Sequence, residues 1–386
     1  MRGSVLLDSL KLNPYELNPT VTAFKRWSLV LGYSVGHFLV DFACAFLFFR
    51  CIAGTADWYL CLLLYNFCAF ALQAPLGLIA DKLSKNWLFA LAGCVLVITA
   101  YAICGASEPG QFALVAVVVL GTGNALYHLG GGIDVLNVSE GRFGPVGLFV
   151  SPGAFGIFFG TLLGREKTLA AFVVVLALSA LFVLVIAIRR ALGKAYPQNA
   201  PFSLKMGTET SANSPNKALP PVLLFAAACF FLVVLLRSFA GMNLSFEWKS
   251  IGYWSLIAVC AVVGGKAAGG FLADRFGVLR TAALSLGIAA ALYLFSAAPL
   301  PGVLAILLFN MTMPITLCAM VRVFNGAKGF AFGLLTFALF LGFLPSYLGA
   351  AATTSPVLAF GLAAVSLALL LPALKPALGA TGKREG

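Results

Sequence analysis

Two residues that can exchange a proton, His37 and Asp41, lie four positions apart inside the first long apolar segment, at about 27–49. That spacing places both side chains on one face of a helix. A charge near the middle of a bilayer costs about 2.5 kcal/mol or more, so this face is expected to point at a partner or a water-filled cavity. The pair could couple proton binding to a conformational change, form a static ion pair between helices, or contact a ligand directly.

A second buried charge, Arg237, needs a counter-ion because its guanidinium keeps its proton at physiological pH. It lies at a depth similar to that of Asp41 along its own apolar segment. We therefore expect Asp41 and Arg237 to form a salt bridge when the outer side is closed, or Arg237 to bind an anion. His128 is interpreted either as a ligand-binding residue or as a hydrogen-bonded residue near the inner end of its helix. Lys266 either extends toward the cytoplasm or faces a cavity.

The composition indicates a membrane protein that is helical throughout. Hydrophobic residues make up 61% and charged residues 10% of the 386-residue chain, whereas soluble domains have about 25% charged residues. A helix needs about 20 apolar residues to cross the bilayer, and open sheets cannot satisfy their backbone groups there. Twelve such helices with short loops use up the length. The first 25 residues lack the layout of a cleavable signal.

The formal charge of +12 is explained by orientation in the lipid bilayer rather than by a nucleic-acid partner. With both termini in the cytoplasm, 19 of the 25 lysines and arginines fall on the inner side, which is the bias that orients membrane proteins. The nine cysteines include no Cys-x-x-Cys pair, which argues against a metal site and a disulfide framework. No nucleotide-binding loop is visible, and no nucleophile and base share a predicted helix face. We therefore expect no cofactor, no metal and no enzymatic activity.

A short motif occurs twice between apolar segments: a glycine, an aspartate four residues later and a basic residue directly after it. The two aspartates are 193 residues apart (274 − 81), half of the chain, which indicates two duplicated halves that can rock about a central site.

The motif resembles the signature loop of the major facilitator superfamily. This resemblance implies an all-α membrane protein with twelve transmembrane helices in two pseudo-symmetric six-helix bundles. It also implies that the loops form a conformational latch, a contact that holds one access state closed, although the aspartates could instead only cap helices. The motif residues are Gly77, Asp81 and Lys82 in the first half and Gly270, Asp274 and Arg275 in the second.

Glycines shape the predictions for two helices. Three consecutive glycines at 130–132 are expected to end the fourth helix, at about 112–129, and to leave Asp134 in a polar loop. In the fifth helix, glycines recur every four residues from Gly156 to Gly164, which is expected to let two helices touch backbones. The predicted division is a cytoplasmic N-terminal segment at 1–25, bundles at 26–190 and 219–374, a cytoplasmic linker at 191–218 and a cytoplasmic tail at 375–386.

Helices 1, 4, 7 and 10 line the cavity in the major facilitator superfamily, and here the same four helices carry most of the polar groups inside the membrane. The His37–Asp41 spacing, His128 with a later Gly-Arg pair ending at Arg142, and Arg237 resemble the fosmidomycin-resistance branch, whose members are proton-linked drug exporters. This implies export of a small organic molecule in exchange for protons, by a monomer in the cell membrane. Uptake of an anionic metabolite and a non-transporting receptor are the alternatives. Proton coupling is assigned to Asp41 and His37, and the substrate cavity to Asn124, His128, Arg237, Asn243, Asn310 and Thr312.

Overall fold

The computed structural model describes residues 23–106, 110–202, 220–350 and 352–382. Within these ranges the chain is helical, with one isolated bridge between Leu244 and Thr353 and no sheet. Parts of three predicted segments lie outside the described residues. They are most of the N-terminal segment at 1–25, linker residues 203–218 and tail residues 383–386. The helices, α1 to α12 in chain order, span Ala23–Ile52, Trp58–Leu83, Asn86–Gly105, Ala113–Val138, Gly144–Glu166, Ala171–Leu192, Pro221–Asn243, Trp254–Phe276, Val278–Tyr293, Pro299–Val323, Lys328–Tyr347 and Pro356–Gly382.

Eleven of the helices in the described part of the chain are long and apolar enough to cross a membrane. The exception is α9, an apolar helix of 16 residues. At about 1.5 Å per residue it is roughly 24 Å long, shorter than the hydrocarbon layer of about 30 Å. The prediction of an all-α protein with twelve helices is confirmed.

The prediction that α4 ends near Leu129 is wrong, because the helix continues through the three glycines to Val138. These glycines permit close packing. A Cβ on Gly130 would lie 2.4 Å from the carbonyl oxygen of Asn86 on α3, and one on Gly131 would lie 2.8 Å from the ring of Tyr33 on α1. In a membrane, a broken helix leaves backbone groups without partners, so glycine is tolerated where neighbouring helices cover it. Asp134 is consequently helical, and His128 lies well inside α4 rather than near its inner end.

The glycines of α5 touch the backbone of another helix, as their four-residue spacing predicted, and that helix is α1. A Cβ on Gly156 or on Gly160 would lie 2.4 Å from a backbone carbonyl oxygen of α1, and one on Gly164 would lie 2.7 Å from another. The regular helix of α5 is interrupted at Ser151 and Pro152, so that its second part begins at Gly153. Because the two backbones touch, α5 holds α1 in position beside the interruption.

Two seams join the first six helices to the last six. In one, α2 packs on α11, where a Cβ on Gly77 would lie 2.2 Å from the carbonyl oxygen of Gly329. In the other, α5 packs on α8, where a Cβ on Gly270 would lie 2.4 Å from the carbonyl oxygen of Phe143. Both glycines belong to the repeated motif, so the motif allows the halves to approach each other at backbone distance.

Candidate functional site

The Asp41 carboxylate is the centre of a buried polar cluster formed by α1 and α4. Asp41 is only 9% exposed. Its Oδ2 lies 3.3 Å from Nε2 of His37, one helical turn earlier. Its Oδ1 lies 3.5 Å from Nε2 of His128 and accepts a hydrogen bond of 3.0 Å from Nδ2 of Asn124, both on α4. Four of the predicted site residues are therefore in mutual contact.

The hydrogen bonds of His128 restrict which of its nitrogens carries a proton. Its Nδ1 lies 2.8 Å from the backbone carbonyl oxygen of Asn124. A carbonyl oxygen only accepts hydrogen bonds, so Nδ1 must be the protonated nitrogen. Nε2 can then donate to Asp41 only if the ring is an imidazolium, since otherwise its lone pair faces the carboxylate. The Asp41–His128 pair is thus more stable with one shared proton than with none.

His37 completes the cluster through its Nε2. With the hydrogen on this nitrogen, His37 donates to Asp41. Nδ1 of His37 is buried with no hydrogen-bond partner among the described residues. One ligand atom from each of His37, Asp41 and His128 lies within 4.8 Å of the others, a spacing that a metal ion could also use.

The interruption of α5 brings a helix start against this cluster. A Cβ on Gly153 would lie 2.4 Å from Oδ2 of Asp41 and 2.4 Å from Nε2 of His37. Just before the interruption, the ring of Phe149 contacts the ring of His37 edge-on, with centroids 4.9 Å apart. The start of a helix favours a negative charge, so Gly153 places α5 where it stabilises the Asp41 carboxylate.

The second half contributes two cations to the central region. Arg237 on α7 is 6% exposed, and its Nη1 lies 3.4 Å from Oγ1 of Thr312, at the interruption of α10. Lys266 on α8 is partly buried, and its backbone carbonyl oxygen would lie 2.7 Å from a Cβ on Gly147 of α5. A cavity role for its side chain stays a prediction. Asp41 and Arg237 do not form an ion pair in this structure, and their pairing in an outer-closed state stays a prediction.

Two residues assigned to the cavity use their amides elsewhere. Nδ2 of Asn243 donates to the carbonyl oxygen of Gly342, and its Oδ1 accepts from Ser346, which ties α7 to α11. Nδ2 of Asn310 donates to the carbonyl oxygen of Ile306 within α10. The structure thus brings Arg237 and Thr312 together, whereas the Asn243 amide joins two helices and the Asn310 amide bonds within its own helix.

The two motif aspartates bind helix starts in the opposite half of the chain. Asp81 accepts hydrogen bonds of 2.8 and 2.9 Å from the backbone amides of Gly329 and Phe330, the first turn of α11. Asp274 accepts bonds of 2.8 Å from the amides of Phe143 and Gly144, at the start of α5. A carboxylate facing unpaired amides at a helix start is a favourable arrangement. Both seams are closed at this end by the same chemistry.

The basic partners in the motif do not form ion pairs within the described residues, and their side chains lie on rings. Nζ of Lys82 is 5.3 Å from the ring of Phe202, and the guanidinium of Arg275 is 5.6 Å from that of Phe276. Ser84, where the motif usually has glycine, adopts a left-handed conformation with φ of 51°. The turn after the first motif therefore forms without glycine.

The comparisons with known proteins bear on the fold. No protein-family profile matches the sequence, and no curated protein matches it. Among solved structures, the major facilitator transporter FucP in the outward conformation superposes with a TM-score of 0.60, at 14% identity, over 92% of this chain and 98% of that chain. The chain has the major facilitator fold. A second structure of FucP, the E. coli fucose:proton symporter, superposes with a TM-score of 0.53 at 14% sequence identity, over 92% of this chain and 96% of that chain. A bacterial homologue of the iron transporter ferroportin, in an outward-facing state, superposes with a TM-score of 0.54 at 15% identity, over 93% of this chain and 99% of that chain.

In the major facilitator fold, α1 to α6 and α7 to α12 form the two six-helix bundles, and one buried network in the first bundle was not predicted. Asp134 on α4 is fully buried and accepts hydrogen bonds from Tyr33 at 3.0 Å, from Asn86 at 2.8 Å and from Tyr196. Burial and the neighbouring Asp134 raise the pKa of the Tyr196 hydroxyl, so it stays a donor. The expected loop after residue 132 concealed this network, because a loop gives Asp134 no fixed partner.

The same network reaches the other bundle through the residues that follow α6. Oδ1 of Asn199 accepts from Asn86 at 2.7 Å and from Asn137 at 2.9 Å. Oδ1 of Asn137 in turn accepts from Nζ of Lys328, the first residue of α11, at 2.9 Å. The start of the predicted linker is therefore docked against both bundles, next to the Asp81 contact.

Proposed function

We propose that the chain is a secondary active transporter that exports a small organic molecule in exchange for protons, by alternating access between its two bundles. The observation that carries the proposal is the Asp41 cluster inside the first bundle, in which the hydrogen-bond geometry favours one proton shared between Asp41 and His128. Asp41 and His37 form the proton site together with His128, which shares the proton with Asp41, and Asn124 and His128 connect this site to the cavity. Arg237 and Thr312 line the cavity from the second bundle. The chain works as a monomer in the cell membrane, with both termini in the cytoplasm.

The motif contacts supply the conformational part of the proposal. Asp81 and Asp274 hold α11 and α5 at the inner end of both seams, and inward opening has to break these four hydrogen bonds. An inner-closed state agrees with the outward conformations named for two of the similar structures. Loss of the shared proton turns the Nε2 lone pair of His128 toward the Asp41 carboxylate, and this repulsion changes how α1 packs on α4. The proton-linked exporters of the fosmidomycin-resistance branch are the nearest functional analogy.

A second candidate is proton-coupled uptake of an anionic metabolite. It is favoured by Arg237 and Lys266, two cations near the central region that form no ion pair with any described acid. One similar structure is that of a fucose:proton symporter, which moves its substrate together with protons. A non-transporting receptor is the third candidate, and it would bind without flux.

The direction of accumulation distinguishes these candidates. The purified protein is reconstituted into vesicles with a pH gradient, and candidate drugs and organic anions are followed by filtration. Exchange for protons gathers the compound on the acidic side, by about tenfold per pH unit at one-for-one stoichiometry. Accumulation on the alkaline side would refute exchange and support proton-coupled uptake. Saturable binding without accumulation would refute both transport functions and support a receptor. Protein-free vesicles and collapse of the gradient by an ionophore are the controls.

A further inference from the structure

Arg237 and Lys266 are two cations whose counter-ion is not explained by the contacts around them. Arg237 has five N–H donors, and its nearest recorded partner is the neutral hydroxyl of Thr312 at 3.4 Å. That hydroxyl already donates to the carbonyl oxygen of Phe309 at 2.9 Å. Neither cation forms an ion pair within the described ranges. Buried charges are normally paired because an uncompensated charge is costly away from water.

The carboxylates inside the helical spans are already occupied. Asp41 is bound by two histidines and an asparagine, and Asp134 is bound by two tyrosines and an asparagine. Asp81 and Asp274 each accept two backbone amides at the inner end. Within the described spans, neither cation has an acid at ion-pair distance in this state. An anion from outside the chain can therefore neutralise the pair.

The backbone around Lys266 places it between the bundles rather than against lipid. Its carbonyl oxygen would lie 2.7 Å from a Cβ on Gly147 of α5. The glycines on either side of it, Gly265 and Gly269, pack on carbonyl oxygens of α10 at 2.2 and 2.1 Å from their would-be Cβ atoms. Lys266 thus lies on the part of α8 that is held between α5 and α10. Both cations lie beside the interruption of α10, because Gly269 packs on Met311 and Arg237 contacts the next residue, Thr312.

We propose that Arg237 and Lys266 together bind the anionic group, a carboxylate or phosphate, of the transported molecule. This inference rests on the proposed transport function and names the substrate class of that site. The planar guanidinium can bind two oxygens of the anion side by side, and the lysine ammonium adds a point charge from α8. Because Arg237 and Lys266 come from different helices of the second bundle, the anion bridges α7 and α8. Asp41 is left free to bind the proton.

The test measures equilibrium binding of acetate and inorganic phosphate to the full-length protein in detergent, without any gradient. The thermal midpoint is followed during titration at constant ionic strength, with acetamide as the neutral counterpart of acetate. We expect saturable stabilisation by the anions and none by acetamide. Arg237→Gln and Lys266→Gln should each lower the affinity for the anion by roughly tenfold to a hundredfold, because each removes one hydrogen bond to a charged group. The exposed cation Arg280, changed to glutamine, is the matched control and should bind as wild type does.

A second measurement avoids substitutions altogether. Phosphate should slow the modification of Lys266 by an amine-reactive reagent, read by mass spectrometry, while the exposed Lys85 reacts at an unchanged rate. Equal anion affinity in wild type and in both glutamine variants, equal stabilisation by acetamide, or no protection of Lys266 would each overturn the proposal.

The outcomes also separate this inference from the proposed transport function. Proton-driven flux that depends on Asp41, in a protein that does not bind anions, would refute only the substrate class. Anion binding that depends on Arg237 and Lys266, in a protein whose flux ignores the pH gradient, would support the anion site and refute the coupling.

Discussion

Replacing Asp41 with asparagine is expected to abolish flux driven by a pH gradient, to the level of protein-free vesicles, while exchange of substrate for substrate continues. Asparagine keeps the shape of the side chain and can still accept from Asn124, but it cannot bind and release the proton. Exchange needs only the movement of the loaded carrier, whereas net flux needs the proton step. The measurement compares gradient-driven flux with counterflow in the same vesicle preparation.

The matched control for this substitution is Asp57→Asn, an exposed aspartate in the connection between α1 and α2. It removes the same charge outside the buried cluster and should leave both fluxes unchanged. Gradient-driven flux that survives in Asp41→Asn would refute the assignment of proton coupling to this residue. Loss of both fluxes in a protein with a normal thermal midpoint would assign Asp41 to substrate binding instead.

The double substitution Asp81→Asn and Asp274→Asn is expected to shift the molecule strongly toward inner-open states. Each carboxylate accepts two backbone amides, and a hydrogen bond to a charged group contributes about 1.5–3 kcal/mol. Losing even one such contribution changes the ratio of open to closed states by roughly tenfold. The released amides are those of Gly329 and Phe330 and of Phe143 and Gly144. Hydrogen–deuterium exchange of the peptides containing them should therefore accelerate about tenfold or more.

Two comparisons make this exchange experiment specific. Peptides from the middle of α7 should exchange as in wild type, which would show that the bundles remain folded. Glu247→Gln, an exposed acid outside the motif, should leave all four amides protected. Unchanged protection in the double variant would show that the aspartates only cap helices and do not control opening.

The features that could be predicted from the sequence are those set by composition and local periodicity. Helix number follows from apolar segments of about 20 residues, and duplication follows from the spacing of Asp81 and Asp274. His37 and Asp41 share a face because four residues make one helical turn. The contact of α5 with α1 follows from glycines on one helical face. These features depend on neighbours in the chain, so one sequence is enough to find them.

The remaining features depend on long-range packing. The residues next to the glycines at 130–132 in the sequence do not show that Asn86 and Tyr33 pack against them. The low helix propensity of glycine alone therefore predicted a helix end. The orientation of His128 toward Asp41 depends on how α4 crosses α1. In this state Asp41 is held by the two histidines, and the pairing of Arg237 with Asp41 in an outer-closed state stays a prediction. The Asp134 network joins three segments that are distant in the chain, and no single segment reveals it.

The measurement that tests the central claim most directly records substrate flux and proton movement simultaneously in the same vesicles, with a pH-sensitive dye trapped inside. The account predicts that each addition of transported compound drives protons in the opposite direction, and that Asp41→Asn removes this proton signal. Substrate flux without any proton movement in the wild-type protein would contradict it.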